Sequence, residues 1–113
     1  MNTILRTWTF WIHAVLEEEC RDDLEAFVLN RMREAPGNRR ASALFRDAGD
    51  GTLEVVVLSV WDSMRHIRDF AGPDYLQPVI LAAHQGKVFD REPAVHHYPI
   101  NDAPLWLLKV ASG

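Results

Sequence analysis

The densest apolar run of the chain, Val55-Val56-Val57-Leu58-Ser59-Val60-Trp61, lacks the polar–apolar alternation of a half-exposed strand. Side chains of a strand point alternately to its two faces, so Val55 and Val57 share one side and Val56, Leu58 and Val60 the other. Both sides are apolar, and the pattern predicts a strand over residues 52–61 that is buried twice. One layer of helices covers only one face. A chain of 113 residues has little left for a second layer, so the other face is expected to meet a second copy of the chain. Beyond Trp61, Asp62 and Ser63 offer a helix cap. Met64, Ile67, Phe70 and Ala71 then form an apolar stripe that Gly72-Pro73 brings to a stop.

The rest of the chain divides by the same logic. Residues 3–13 read as a strand with Ile4, Arg6, Trp8, Phe10 and Ile12 on one face, and Leu5, Thr7, Thr9, Trp11 and His13 on the other. Glu17, Glu18 and Glu19 suit a helix N-terminus. Leu24, Phe27, Val28, Arg31 and Ala35 follow at helical spacing, with Met32 beside them, until Pro36-Gly37. Residues 39–47 form a weaker strand, and Asp50-Gly51 is a hairpin turn into the strand at 52–61. Asp74 and Gln77 can cap a second helix carrying Leu76, Val79, Ile80 and Ala83 and ending at Gly86. Ala94-Val95-His96-His97-Tyr98-Pro99-Ile100 reads as the last strand. The order strand, helix, strand, strand, helix, strand is the ferredoxin-like βαββαβ pattern, an α+β fold with an antiparallel sheet. With a sheet apolar on both faces, two such sheets packed face to face as a homodimer are the expected arrangement. Residues 1–100 make a single domain. Residues 101–113 form a tail whose Leu105-Trp106-Leu107-Leu108 needs a surface on the domain or on its partner.

Composition narrows the function classes. A net charge of −4 supplies no basic field for nucleic acid. No apolar stretch is long enough to span a membrane, and the N-terminal residues do not read as a signal peptide. One cysteine, Cys20, excludes an internal disulfide and a cysteine zinc site, which makes a cytoplasmic location the expectation. In the acidic first turn of its helix, its thiolate is disfavoured and it reads as inert.

Four segments in order, Ile4-Leu5-Arg6-Thr7-Trp8, Val60-Trp61-Asp62-Ser63, Ile67-Arg68-Asp69-Phe70-Ala71-Gly72 and Val95-His96-His97-Tyr98, resemble the antibiotic biosynthesis monooxygenase family over roughly residues 3–100. The resemblance implies a dimeric α+β barrel with a cavity between sheet and helices. It also implies oxidation of aromatic polyketide anthrones or quinol-like compounds by molecular oxygen, with no metal or flavin cofactor. Relatives that degrade haem carry a tryptophan where this chain has Phe70, and an asparagine on the first strand where it has Arg6 and Trp8. His84 stands about one helical turn from their haem-ligating histidine. That branch is set aside.

Within such a cavity, His66 lies four residues before Phe70 and is a candidate general base toward a phenolic or anthrone C–H acid; the competing reading is a half-packed residue on the helix flank. Arg6, among aromatics on one strand face, is a candidate for stabilising a substrate enolate or carboxylate; an internal salt bridge is the alternative. Tyr98 is a candidate hydrogen-bond donor to a substrate oxygen, and His97 a pocket residue from the opposite strand face. Trp8, Phe70 and Tyr75 suit a flat aromatic ligand, whereas Trp61 is expected to be chiefly structural even where it borders the site. No spacing of histidines supports a metal site. The reading is therefore a monooxygenase acting on a small aromatic or polyketide-like substrate. Two alternatives stand beside it: a non-oxidative cyclase or isomerase, and a non-catalytic protein of the same fold that binds a small hydrophobic ligand.

Overall fold

The computed structural model describes residues 3–73 and 93–100. The second helix expected over 74–86, with Tyr75 and His84, and the tail from Asn101 lie outside the described residues. Four strands, β1 (Ile4–His13), β2 (Asn38–Asp47), β3 (Thr52–Trp61) and β4 (Ala94–Pro99), form one antiparallel sheet in the order β2-β3-β1-β4. This is the ferredoxin-like arrangement, with the two strands richest in large apolar side chains at its centre and β2 and β4 at its edges.

Register decides which side chains share a face. Arg6, Trp8 and Phe10 of β1 stand opposite Ser59, Val57 and Val55 of β3, and β4 adds His97 opposite Arg6 and Val95 opposite Trp8. The helices cover this face. Its core runs through Ile4, Trp8, Phe10, Ile12, Val55, Val57 and Trp61, joined by Cys20, Leu24, Leu29 and Met32 from the first helical segment and Ile67 from the helix that follows β3. Each large aliphatic side chain so buried contributes about 1.5–3 kcal/mol over leaving it in water. Among the described residues, no helix covers the other face. Leu44 of β2 and Tyr98 of β4 are 53% and 47% exposed there, flanking Val56, Leu58 and Leu5.

The first helical segment departs from the sequence expectation in its phase. Helix α1 (Glu17–Leu24) passes through a π-helical stretch, Glu25–Leu29, into α2 (Asn30–Glu34). A π turn carries one more residue than an α turn. The inward positions therefore run Cys20, Leu24, Leu29 and Met32, rather than continuing through Val28 and Arg31. Phe27 is 63% exposed as a result, and Arg31 is exposed on the same side. Arg33 ties the segment to the sheet, its guanidinium donating to the Ala41 carbonyl (2.9 and 3.3 Å) and to Glu25 (2.7 Å).

The hairpin between β2 and β3 turns where expected, with Gly49 and Gly51 at positive φ. Asp47 and Asp50 accept from the backbone N–H of Gly49 and Thr52. Helix α3 (Met64–Ala71) starts on Ser63, whose hydroxyl accepts from the His66 backbone N–H, and ends at Gly72 at φ 79°.

Candidate functional site

A cavity of about 230 Å³ lies between β1, the first helical segment and α3, lined by Arg6, Trp8, Phe27, Val28, Arg31, Met32, Phe70 and Ala71. Its size is somewhat below the range of ordinary small-molecule sites. Each wall has a local cause. Strand alternation brings Arg6 and Trp8 to the helix side of β1 together. The π stretch turns Phe27, Val28 and Arg31 away from the closed core and toward this space. The last turn of α3 supplies Phe70 and Ala71, and Phe70 is held by Trp61 behind it, with ring centroids 5.2 Å apart.

The electrostatics centre on Arg6, which is 4% exposed, with a pKa lowered by desolvation. Burial of a guanidinium is costly, and it makes the group a strong binder of any anion that reaches it. Trp8 is 3% exposed, and its buried indole N–H meets no acceptor among the described residues. His97 stands opposite Arg6 on the same sheet face, and its pKa is lowered by desolvation, by the Arg6 charge and by His96. It is therefore a neutral imidazole beside a cation at pH 7.

Of the residues singled out from the sequence, the fold gathers Arg6, Trp8 and Phe70 around the cavity and sets His97 beside Arg6. Trp61 supports Phe70 from the core, and its N–H is satisfied by Ser59 Oγ at 2.8 Å. Two candidates fall elsewhere. His66 sits on the flank of α3, with Nδ1 2.8 Å from Ser63 Oγ and its ring against Gly37, and it does not line the cavity. Four residues separate it from Phe70, but the cap holds its ring toward the start of the helix. Tyr98 belongs to the open face, opposite Leu5 and near His96, because alternation sends it away from His97. Tyr75 lies outside the described residues. Phe27, Val28 and Arg31 stand at helical spacing in the sequence with nothing to mark them as a site; the π stretch makes them a cavity wall beside Met32, which also belongs to the core.

Three solved structures share this architecture. They are a protein from Bacillus cereus described as an antibiotic biosynthesis monooxygenase (TM-score 0.62, 17% identity, covering 92% of this chain and 98% of that one), Rv0793 from Mycobacterium tuberculosis (0.57, 20%, 90% and 99%), and the ActVA-Orf6 monooxygenase of Streptomyces coelicolor, solved in complex with nanaomycin D (0.60, 19%, 91% and 91%). The fold is that of the antibiotic biosynthesis monooxygenases. No protein-family model matches the sequence, and no curated protein does. Similarity at this level of identity speaks for the fold, and the reaction has to be argued from the cavity. None of the described helices is long and apolar enough to cross a membrane.

Proposed function

We propose that the protein is a cofactor-independent monooxygenase that oxidises a small aromatic substrate of anthrone or quinol type. The observation that carries this reading is a mostly apolar cavity with the buried Arg6 guanidinium in its wall. Phe27, Met32 and Phe70 suit a flat ring system, and nanaomycin D in the Streptomyces coelicolor protein is a ligand of a monooxygenase with the same fold. Such a substrate reacts with oxygen only as its enolate, so the protein's task is to hold and stabilise that anion. His97, neutral beside Arg6, is the base in this reading, and Arg6 carries the oxyanion. Oxygen then adds to the carbanion carbon. Loss of water from the hydroperoxide leaves the carbonyl, so that one methylene and one dioxygen give one carbonyl and one water.

The reading includes a homodimer in which a second copy covers the face bearing Leu44, Val56, Leu58 and Tyr98. Packing against a second copy would take these apolar side chains out of water. It also takes the single, buried Cys20 as suited to a reducing cytoplasm.

Oxygen uptake with a model anthrone tests it. The expected result is one oxygen consumed per quinone formed, with Arg6→Gln lowering kcat by about 10²-fold or more. Binding without oxygen uptake would refute the oxygenase reading in favour of a ligand-binding protein. Solvent-proton exchange into the substrate without uptake would favour an isomerase or cyclase.

A further inference from the structure

The polar groups lining the cavity share one property. Arg6 and Arg31 bring guanidiniums and Trp8 brings an indole N–H; the other lining side chains are Phe27, Val28, Met32, Phe70 and Ala71. Guanidinium and indole nitrogens donate hydrogen bonds and accept none. Among the described residues, no carboxylate, hydroxyl or amide side chain lines the space. A ligand's polar contacts with these side chains are therefore contacts in which the ligand accepts.

The two cations occupy different depths. Arg6, near the start of β1, is buried, whereas Arg31, on α2 one turn beyond Phe27, is exposed at the rim. Other surface arginines sit against carboxylates: Arg21 on Glu17, Arg33 on Glu25, Arg39 on Asp62, Arg46 on Glu54 and Arg65 on Asp69. Arg31 makes no ion pair among the described residues, although the chain is rich in acids and carries a net charge of −4. A cation left over at the rim of an apolar cavity, with a second one in the cavity wall, fits a ligand that is anionic at two separated places.

Resting on the reading of this cavity as the substrate site, we propose that the substrate is a carboxylated aromatic. Its ring lies between Phe27, Met32 and Phe70, its ionisable ring oxygen faces Arg6, and a carboxylate on the ring or on a short side arm pairs with Arg31. Arg31 is then a specificity-determining residue that selects acids over their neutral counterparts.

A matched pair of probes tests this: the dihydroxyanthraquinone carboxylate rhein, and chrysophanol, which has a methyl group in place of the carboxylate. In calorimetric titrations of the full chain, rhein is expected to bind tighter by about two- to fivefold, the scale of one exposed ion pair. Arg31→Gln should bring the ratio near one by weakening rhein alone, and Arg31→Lys should keep part of the preference. Arg31 is exposed, so neither change threatens folding. Equal affinity in the wild type, or a preference that survives in Arg31→Gln, would overturn the proposal while leaving the aromatic site intact. Failure of both probes to bind would overturn the site reading and the proposal together.

Discussion

Replacing Gly37 by alanine should be among the most damaging single-atom-scale changes in this fold. Gly37 connects α2 to β2 at φ +83°, and its carbonyl accepts the Asp62 N–H at 2.8 Å, just ahead of α3. A Cβ built there would fall inside the contact radius of His66 Cγ and Cδ2 and 2.8 Å from His66 Cβ. Two costs combine. Left-handed backbone in a residue with a Cβ costs roughly 1–2 kcal/mol. Forcing a methyl into an occupied space costs roughly 1–3 kcal/mol more. The sum, about 2–5 kcal/mol, is a large share of the stability of an ordinary domain. Gly51 is the control, since it has nearly the same φ, +82°, and nothing within 4 Å of its would-be Cβ. Gly51→Ala should pay the backbone cost alone. Urea unfolding followed by tryptophan fluorescence, at one fixed protein concentration because association feeds into apparent stability, gives both values. In a double-mutant cycle, His66→Ala removes the two nearest atoms and should relieve most of the steric share. If Gly37→Ala costs no more than Gly51→Ala, or if His66→Ala relieves none of the difference, then His66 does not pack on the start of β2 as argued.

Other consequences follow from the buried groups and the open face. Cys20 is fully buried, and its pKa is pushed up to about 11 by burial and Asp23, with Arg21 opposing and Glu19 adding. At pH 8 its thiolate fraction is on the order of one in a thousand; a thiol reagent should label native protein only at the rate of unfolding, and fast labelling would contradict the burial. The neutral thiol is favoured in the fold, so Cys20 supports stability below about pH 9 and that support fades as pH rises toward 11. His97 has the opposite sign: its folded pKa lies below 6.5, so its contribution is present above pH 6.5 and is lost as acid titrates the unfolded state more readily than the native one. His97→Gln should flatten the stability profile in that acidic window, and an unchanged slope would remove Arg6 and burial as its controlling environment. Leu58→Asp on the uncovered face tests the proposed homodimer: sedimentation velocity should show the wild type as a dimer and the variant as lost folded protein, and a monomeric wild type or a well-folded dimeric variant would refute a second copy on that face.

The strands, their order along the chain and the hairpin at Asp50-Gly51 were legible because a period of two and the turn residues act locally, and the stretches around Val55 and Trp8 hold no competing signal. The doubly apolar β3 reads as a strand with two faces to cover, and among the described residues the helices cover one of them. What the chain alone left open is where local pattern meets packing. The spacing of Leu24, Phe27, Val28 and Arg31 is a sound α-helical stripe, yet one π turn rotates Leu29 and Met32 into the core and leaves Phe27 and Arg31 to wall a cavity. His66 and Phe70 share a helical face by spacing, but a hydrogen bond to Ser63 and the bare backbone of Gly37 draw the histidine to the other end of the helix. His97 and Tyr98 are neighbours in sequence and strangers in space, and only pairing with β1 decides that the histidine joins Arg6 while the tyrosine points to the face that no described helix covers. Periodicity assigns residues to faces; which face becomes core, cavity or interface depends on what packs against it, and that is a property of contacts between distant segments.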